Sequence, residues 1–250
     1  MGEITSLRNF IQKELVFKDN VSTEYEISKI LNENQKKTVV FENVDEYKFR
    51  VVGNLCYSRE SLYRALDTNK ELYNDKVADI VENPHLPGII NKGHFHDVEA
   101  ESIKELPILR HFTGDGGRYI TSGIVIVKDK EYGRNISIHR LMLLDDQRLA
   151  IRIVERNLYK FLGKAEKNGS PLEIAIVIGV HPAILYSAGY SPPLGYDEFG
   201  IANRLLNDKL KLARCKTVNI EVPSESEIVI EGRILPDVRV NEGPFVDITG

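Results

Sequence analysis

Tryptophan is absent, cysteine occurs twice, and no apolar run comes near the length of a membrane-spanning helix. The missing tryptophan carries no functional message, but the other absences do. Cys56 and Cys215 stand far apart and outside any Cys-x-x-Cys pair, which argues against a disulfide framework or a zinc ribbon. A spanning helix needs about 20 mainly apolar residues, and no segment supplies them. Residues 1–18 mix acidic and basic side chains with apolar ones and lack the apolar centre of a signal peptide. The expectation is a soluble cytoplasmic protein with no membrane span. An excess of positive charge is also missing: 33 Lys and Arg face 37 Asp and Glu, a net charge of −4. Nucleic-acid binding needs a basic face, so no nucleic-acid partner is expected. The short run Lys209, Lys211, Arg214 and Lys216 reads as solvated surface. A local basic pocket for a phosphate stays open. The chain has no Gly-x-Ser-x-Gly elbow, no Walker loop, no Gly-x-Gly-x-x-Gly after a strand and no Cys/His nucleophile pair.

What is present is a 250-residue chain with 42% hydrophobic residues, enough for one large core or two modest ones. Leu7, Phe10, Ile11 and Leu15 have helical spacing and predict a helix over 5–15. Ser22 and Thr23 can cap a helix that buries Ile27, Ile30 and Leu31. Residues 38–41 and 49–52 read as strands, Ser58 caps a further helix, and 70–82 reads as another. Helix and strand thus alternate over the first 85 or so residues, as in a small α/β unit. Prolines and glycines between 83 and 117 then mark a connecting region. Beyond it the chain is richer in strands, at 119–127, 141–144, 149–154, 172–179, 218–222 and 227–234. Helices are predicted over 157–167, 182–186 and 197–206. The nearly continuous apolar run 172–179 suits a strand covered on both faces.

Four segments could carry chemistry. The first is Asn135-Ile136-Ser137-Ile138-His139-Arg140. In an extended chain Asn135, Ser137 and His139 share one side, with Arg140 on the other. An amide oxygen suits a hard cation, a hydroxyl suits phosphate, and a guanidinium suits a carboxylate or phosphate. The same spacing also fits a half-buried strand with surface polar residues. The second runs from Gly179-Val180-His181-Pro182-Ala183 through Ser187 to Glu198, after a buried strand end where ligands often sit. Glu198 stands at a helix start, where simple capping is the other reading. The third, Gly93-His94-Phe95-His96-Asp97, offers metal-type side chains without a third ligand at a recognisable spacing. Gly114-Asp115-Gly116-Gly117 could cradle a phosphate on backbone amides or simply turn the chain.

Taken in order, these pieces resemble the UbiD family of decarboxylases, which use prenylated FMN. The resemblance rests on Leu106-Pro107 with 114–123, then Asn135-x-Ser137-Ile138-x-Arg140. It continues through Pro171-Leu172-Glu173, Gly179-x-His181-Pro182-Ala183, Glu198 and the stretch 226–232, and ends at Glu242-Gly243-Pro244-Phe245. It covers about 100–250. It implies an α+β fold: a small N-terminal α/β domain with its connecting region over 1–110, then a split β-barrel, prenyl-FMN-binding domain over 111–250, incomplete at its C-terminus. It implies that Asn135 and Glu198 help hold Mn2+ or Mg2+, with K+ as a companion ion. Ser137, Ile138, Ser187 and Arg140 match positions at the cofactor, and Arg140 also matches the clamp on the substrate carboxylate.

The chain departs from the family pattern twice. A histidine metal ligand usual in the family is replaced near the end of 151–156 by Glu155, which could bind a metal or pair with Arg152 or Arg156. The family's acid/base loop and its dimerising C-terminal domain are expected beyond residue 250, so the chain reads as a fragment or truncated member.

The implied reaction is non-oxidative decarboxylation of an unsaturated or aromatic carboxylic acid. The leading substrate is trans-anhydromevalonate 5-phosphate, giving isopentenyl phosphate in archaeal isoprenoid synthesis. A 4-hydroxybenzoate-type acid in quinone synthesis and a non-catalytic flavin- or phosphate-binding subunit are the alternatives. A flavin prenyltransferase would supply the cofactor, and the full-length protein would be a homo-oligomer.

Overall fold

The computed structural model describes residues 5–12 and 14–246. The expectations that involve residues 1–4, Lys13 and 247–250 lie outside the described residues. The fold is mixed α+β, and its strands pair in four sheets among the described residues.

The first sheet has the order β1 (Leu15–Val21), β2 (Val39–Val44), β3 (Val51–Gly53), with α1 (Leu7–Phe10) before it and α2 (Glu26–Glu33) as the crossover. The helix expected over 5–15 is a single turn, capped by the Ser6 hydroxyl. Leu15, Val16 and Phe17 instead pair in parallel with Val39, Val40 and Phe41. This apolar ladder, packed into a small core with Val39, Phe41 and Ile27 at its centre, outweighs the local helical spacing. Ser22 and Thr23 do not cap α2. Tyr25 stands at its N-cap with φ 65 and no side-chain cap bond, and the Thr23 amide donates to Asp45 at 2.7 Å. Ser58 does cap α3 (Arg59–Ala65), in a reciprocal box with Ser61. α4 (Tyr73–Glu82) follows, its start held by Asn69 Oδ1 accepting from the Leu72 amide at 2.9 Å.

The connecting region contributes a strand of its own. β4 (Gly88–Ile90) pairs in parallel with β11 (Lys211–Arg214), far along the chain. The strand expected over 119–127 is two strands in different sheets, β5 (Tyr119–Ile120) and β6 (Ile124–Asp129). Gly123 sits at the corner between them. A Cβ there would press on Ile120, Leu141 and Ile176 side chains at 3.1–3.2 Å.

β6 and β7 (Gly133–Ile138) form a hairpin. β8 (Leu141–Leu143) and β9 (Leu149–Ile151) complete the β5 sheet. α5 (Asn157–Lys167), β10 (Leu172–Ile178), α6 (Pro182–Gly189) and α7 (Phe199–Leu205) follow, then β11, β12 (Glu221–Pro223) and β13 (Ile228–Ile234). The central sheet has the antiparallel order β13-β10-β6-β7. One face packs Ile124, Ile126, Ala175 and Val177 against Ala183, Ile184, Phe199 and Ala202 of α6 and α7. The other packs Val125, Val127, Ile174 and Ile176 against Leu158, Phe161 and Leu162 of α5. β10 is apolar on both faces because both are covered, as its run of residues predicted.

Lys211 and Arg214 are exposed on β11, with Leu212 and Ala213 buried between them. Cys56 and Cys215 are both free thiols. No helix of the described residues is long and apolar enough to cross a membrane.

Candidate metal and cofactor site

β7 is the edge strand of the central sheet, so alternate amides point away from the ladder and need partners. The start of α7 supplies one. Glu198 is the N-cap residue of α7, yet its side chain makes no cap hydrogen bond. It reaches across to β7 instead. Its Oε2 accepts from the Ile136 amide at 3.0 Å, and its Oε1 accepts from Asn135 Nδ2 at 2.8 Å. The capping reading of Glu198 is therefore replaced by a cross-element contact.

Both side chains are enclosed, Asn135 being 5% and Glu198 1% exposed. Burial pushes the Glu198 carboxyl up to about 8. Its hydrogen bonds pull the other way, and neighbouring Asp197 adds to the rise. Asn135 Oδ1 is buried with no partner. A carboxylate held where its charge is costly, beside an amide oxygen with nothing to accept from, is a donor set that suits a hard divalent cation. Charges stand behind the pair: Arg134 Nε lies 3.1 Å from Asp197, and Lys128 Nζ lies 2.9 Å from Glu221. The Arg134 guanidinium also sits over the Phe199 ring at 5.3 Å.

Ser137, next on the Asn135 side of β7, bonds to His139 Nε2 at 2.9 Å. His139 Nδ1 faces the Arg152 carbonyl oxygen at 2.9 Å. A carbonyl only accepts, so Nδ1 carries the proton and the Ser137 hydroxyl donates to Nε2. Burial lowers the His139 pKa and favours this neutral form. Ile138 is 40% exposed and borders Gly189 at the end of α6. Ser187 is fully buried in α6, and its hydroxyl donates back to the Ile184 carbonyl at 2.8 Å.

Arg140 follows the end of β7 and meets Glu242 in a two-bond fork, Nε to Oε1 at 3.0 Å and Nη2 to Oε2 at 2.9 Å. Its guanidinium stands over Phe245 at 5.1 Å, and Phe245 leans on Tyr119 with ring centroids 4.5 Å apart. Burial, helped by Glu242, pushes the Tyr119 phenol up to about 12. Glu242 had no assigned role in the sequence. The Glu242-Gly243-Pro244-Phe245 motif was its only signal.

Other expected positions do not join this site. Glu155 is exposed, and the hydrogen bonds of Glu198 go to Asn135 and Ile136 rather than to it. In the His94–His96 turn, His96 is bound by Gly93 and the Arg214 carbonyl, His94 pairs with Glu225, and Asp97 pairs with Lys92. Among the described residues no three metal-type side chains gather there. The 114–117 loop cradles the chain itself. Asp115 accepts from the His111, Phe112 and Val246 amides, and the Gly116 amide donates to the Pro244 carbonyl at 2.6 Å.

Comparison with known proteins places this geometry in context. Residues 90–250 match the 3-octaprenyl-4-hydroxybenzoate carboxy-lyase Rift-related domain, and residues 13–81 match the N-terminal domain of the same carboxy-lyase. The chain is 42% identical to an anhydromevalonate phosphate decarboxylase of Methanothermobacter thermautotrophicus, over 97% of this chain and 58% of that protein. It is 40% identical to the protein of the same name from Methanocaldococcus jannaschii, over 93% of this chain and 55% of that one. It also resembles an evolved dimeric form of the UbiD-class enzyme HmfF from Pelotomaculum thermopropionicum in complex with prFMN. That match has a TM-score of 0.90 and 39% identity, and covers 96% of this chain and 60% of that one. The chain thus spans somewhat more than half the length of the curated relatives it matches.

Proposed function

We propose, from the premise that this chain belongs to the UbiD family of 3-octaprenyl-4-hydroxybenzoate carboxy-lyases, that it carries the cofactor-holding part of a prenylated-FMN-dependent decarboxylase. The proposed substrate is trans-anhydromevalonate 5-phosphate and the product isopentenyl phosphate. Relatives at 42% and 40% identity are named anhydromevalonate phosphate decarboxylase, which favours this acid over a 4-hydroxybenzoate-type one. The HmfF structure in complex with prFMN supports the cofactor.

The observation that carries the reading is the buried Asn135–Glu198 pair with its unpartnered amide oxygen. These two residues would hold Mn2+ or Mg2+, accompanied by K+. Glu155 is the weaker member of the set, being exposed. Bound prenylated FMN supplies the electron sink for breaking the bond between the substrate and its carboxylate. The chain's own residues prepare that step. Arg140 clamps the substrate carboxylate, Glu242 fixes the direction of its guanidinium, and Phe245 with Tyr119 makes an aromatic wall beside the clamp. Ser137, Ile138 and Ser187 would be among the residues that hold the cofactor.

The wider reading has an N-terminal α/β domain over 1–110, a split β-barrel flavin domain over 111–250, a separate flavin prenyltransferase as cofactor source, a cytoplasmic setting and a homo-oligomer of the longer protein. The dimeric HmfF form supports the last of these.

Co-expression with a flavin prenyltransferase tests the whole reading. The purified chain should carry the flavin absorbance and bind Mn2+. Carbon dioxide release from anhydromevalonate phosphate then measures how much of the reaction this length of chain supports. A colourless chain that binds neither flavin nor Mn2+ overturns the proposal.

A further inference from the structure

The N-terminal unit contains a cleft of about 580 Å³, lined by Arg59, Tyr63 and Arg64 of α3 and by Thr68, Asn69 and Lys70 of the loop that follows. Glu60 is the one carboxylate on its wall, and its own amide, the Ser58 hydroxyl and the Arg59 charge hold its pKa below the usual carboxylate range. Three cations therefore face one committed anion. Among the described residues Arg59, Arg64 and Lys70 form no ion pair.

Arg64 is the centre of the cleft. Its guanidinium carbon lies 4.5 Å from the Phe10 ring centroid, a cation–π contact that holds the side chain. Phe10 is held in turn by an edge contact with His181 at 4.9 Å. Arg64 Nε and Nη1 are buried without a hydrogen-bond partner, and so is the Thr68 hydroxyl a turn away. Buried charged donors left unpaired are costly and uncommon. Here two of them, together with a hydroxyl, belong to residues that line the same cavity.

We propose that this cleft is a binding site for a phosphate monoester, separate from the Asn135–Glu198 site. Arg64, whose unpaired Nε and Nη1 lie on different edges of the guanidinium, donates to the phosphate. Thr68 Oγ donates to the phosphate, and Arg59 and Lys70 balance its second charge. The volume exceeds what one inorganic phosphate fills. Tyr63, which packs on Tyr73 with centroids 5.5 Å apart, gives the organic part of the ester an apolar wall. The inference stands on the N-terminal unit alone and does not depend on the decarboxylase reading.

The test is titration of the intact chain with inorganic phosphate and with glycerol 3-phosphate in a phosphate- and sulfate-free buffer, followed by calorimetry and amide NMR. Saturable binding is expected for both, tighter for the ester, with shifts concentrated in residues 59–70. Arg64→Gln and Thr68→Val should each weaken it by about tenfold or more. Asn135→Ala, in the other site, should leave it unchanged. Should Arg64→Gln fail to fold for want of its contact with Phe10, Thr68→Val and Lys70→Ala still report on the cleft. Absence of saturable binding up to about 10 mM overturns the proposal. So does binding that none of the three cleft substitutions alters.

Discussion

Arg140 and Glu242 stand 102 residues apart in sequence and meet in a planar fork, with paired N–H···O distances of 3.0 and 2.9 Å. The fork joins the end of β7 to the 242–246 segment, and Phe245 closes over it. Glu242→Gln removes the charge from one side of a largely enclosed pair. Chemical denaturation should show a loss of about 1–3 kcal/mol. In the cofactor-loaded protein the same change should lower kcat more than it raises KM, because the guanidinium loses its direction. A variant as stable and as active as the parent would remove Glu242 from the clamp.

Asn135→Ala and Glu198→Gln each delete one oxygen donor of the candidate cation site. Electron paramagnetic resonance of Mn2+ should report at least about tenfold weaker binding for either. Because burial raises Glu198 to about 8, protons compete with the cation, and the apparent affinity should climb as pH rises from 6 to 8. Affinity that stays flat over that range, with both variants unchanged, would place the cation elsewhere.

His139 commits the Ser137 hydroxyl as a donor, so only the lone pairs of Ser137 remain for a ligand. Nitrogen-15 NMR of the imidazole should show the Nδ1–H tautomer at neutral pH. It should persist below the usual histidine range, since burial lowers the pKa. His139→Ala frees the hydroxyl to donate and should change flavin affinity, and Ser137→Ala in the same background should undo that change. An Nε2–H tautomer in the spectrum would sink the assignment.

Gly116 passes so close to the 243–244 backbone that a Cβ would lie 2.7 Å from the Gly243 carbonyl carbon. Neither partner is the flexible end of a side chain. Gly116→Ala should therefore cost about 1–3 kcal/mol and loosen the Glu242 segment, seen as faster amide exchange at Gly116 and Val246.

His181 is buried at the start of α6, where burial and then the nearby Arg64 charge lower its pKa to about 4. An unfolded histidine titrates near 6.5, so between those values the unfolded chain binds the extra proton. Stability from this group is complete above about 6.5 and is lost as pH falls towards 4, by at most about 3 kcal/mol. His181→Asn keeps a capping acceptor and should flatten that part of the curve. An unaltered slope would assign the acid sensitivity to other groups.

The legibility of the fold follows the range of the forces involved. α5 over Asn157–Lys167 and the run of β10 were readable because one amphipathic period and one two-faced apolar stretch decide them locally. Leu15 misleads because its helical spacing with Leu7, Phe10 and Ile11 is real, but the strand partners of Leu15-Val16-Phe17, Val39-Val40-Phe41, are more than twenty residues away. β4 was invisible for the same reason: Gly88-Ile89-Ile90 follows two nearby prolines and becomes a strand only beside β11. The break at Gly123 shows in the sequence only as a glycine. The crowding of Ile120, Leu141 and Ile176 that requires it comes from three separate elements.

For the site, the amino-acid sequence by itself determined the inventory: an amide and a carboxylate for a hard cation, a hydroxyl and an arginine, arranged in an order that resembles one family. Those are properties of residue type and spacing. The tertiary structure decided which atoms meet and in what state. It decided between the two readings of Glu198, joining its side chain to Asn135 rather than to its own helix, and it left Asn135 Oδ1 open. It set Ser137 as a donor to His139, turned Ser187 back on its own helix, and kept Glu155 apart. It also brought Glu242 onto Arg140. Protonation and hydrogen-bond direction depend on burial and on partners distant in the chain, and no local pattern of residues encodes either.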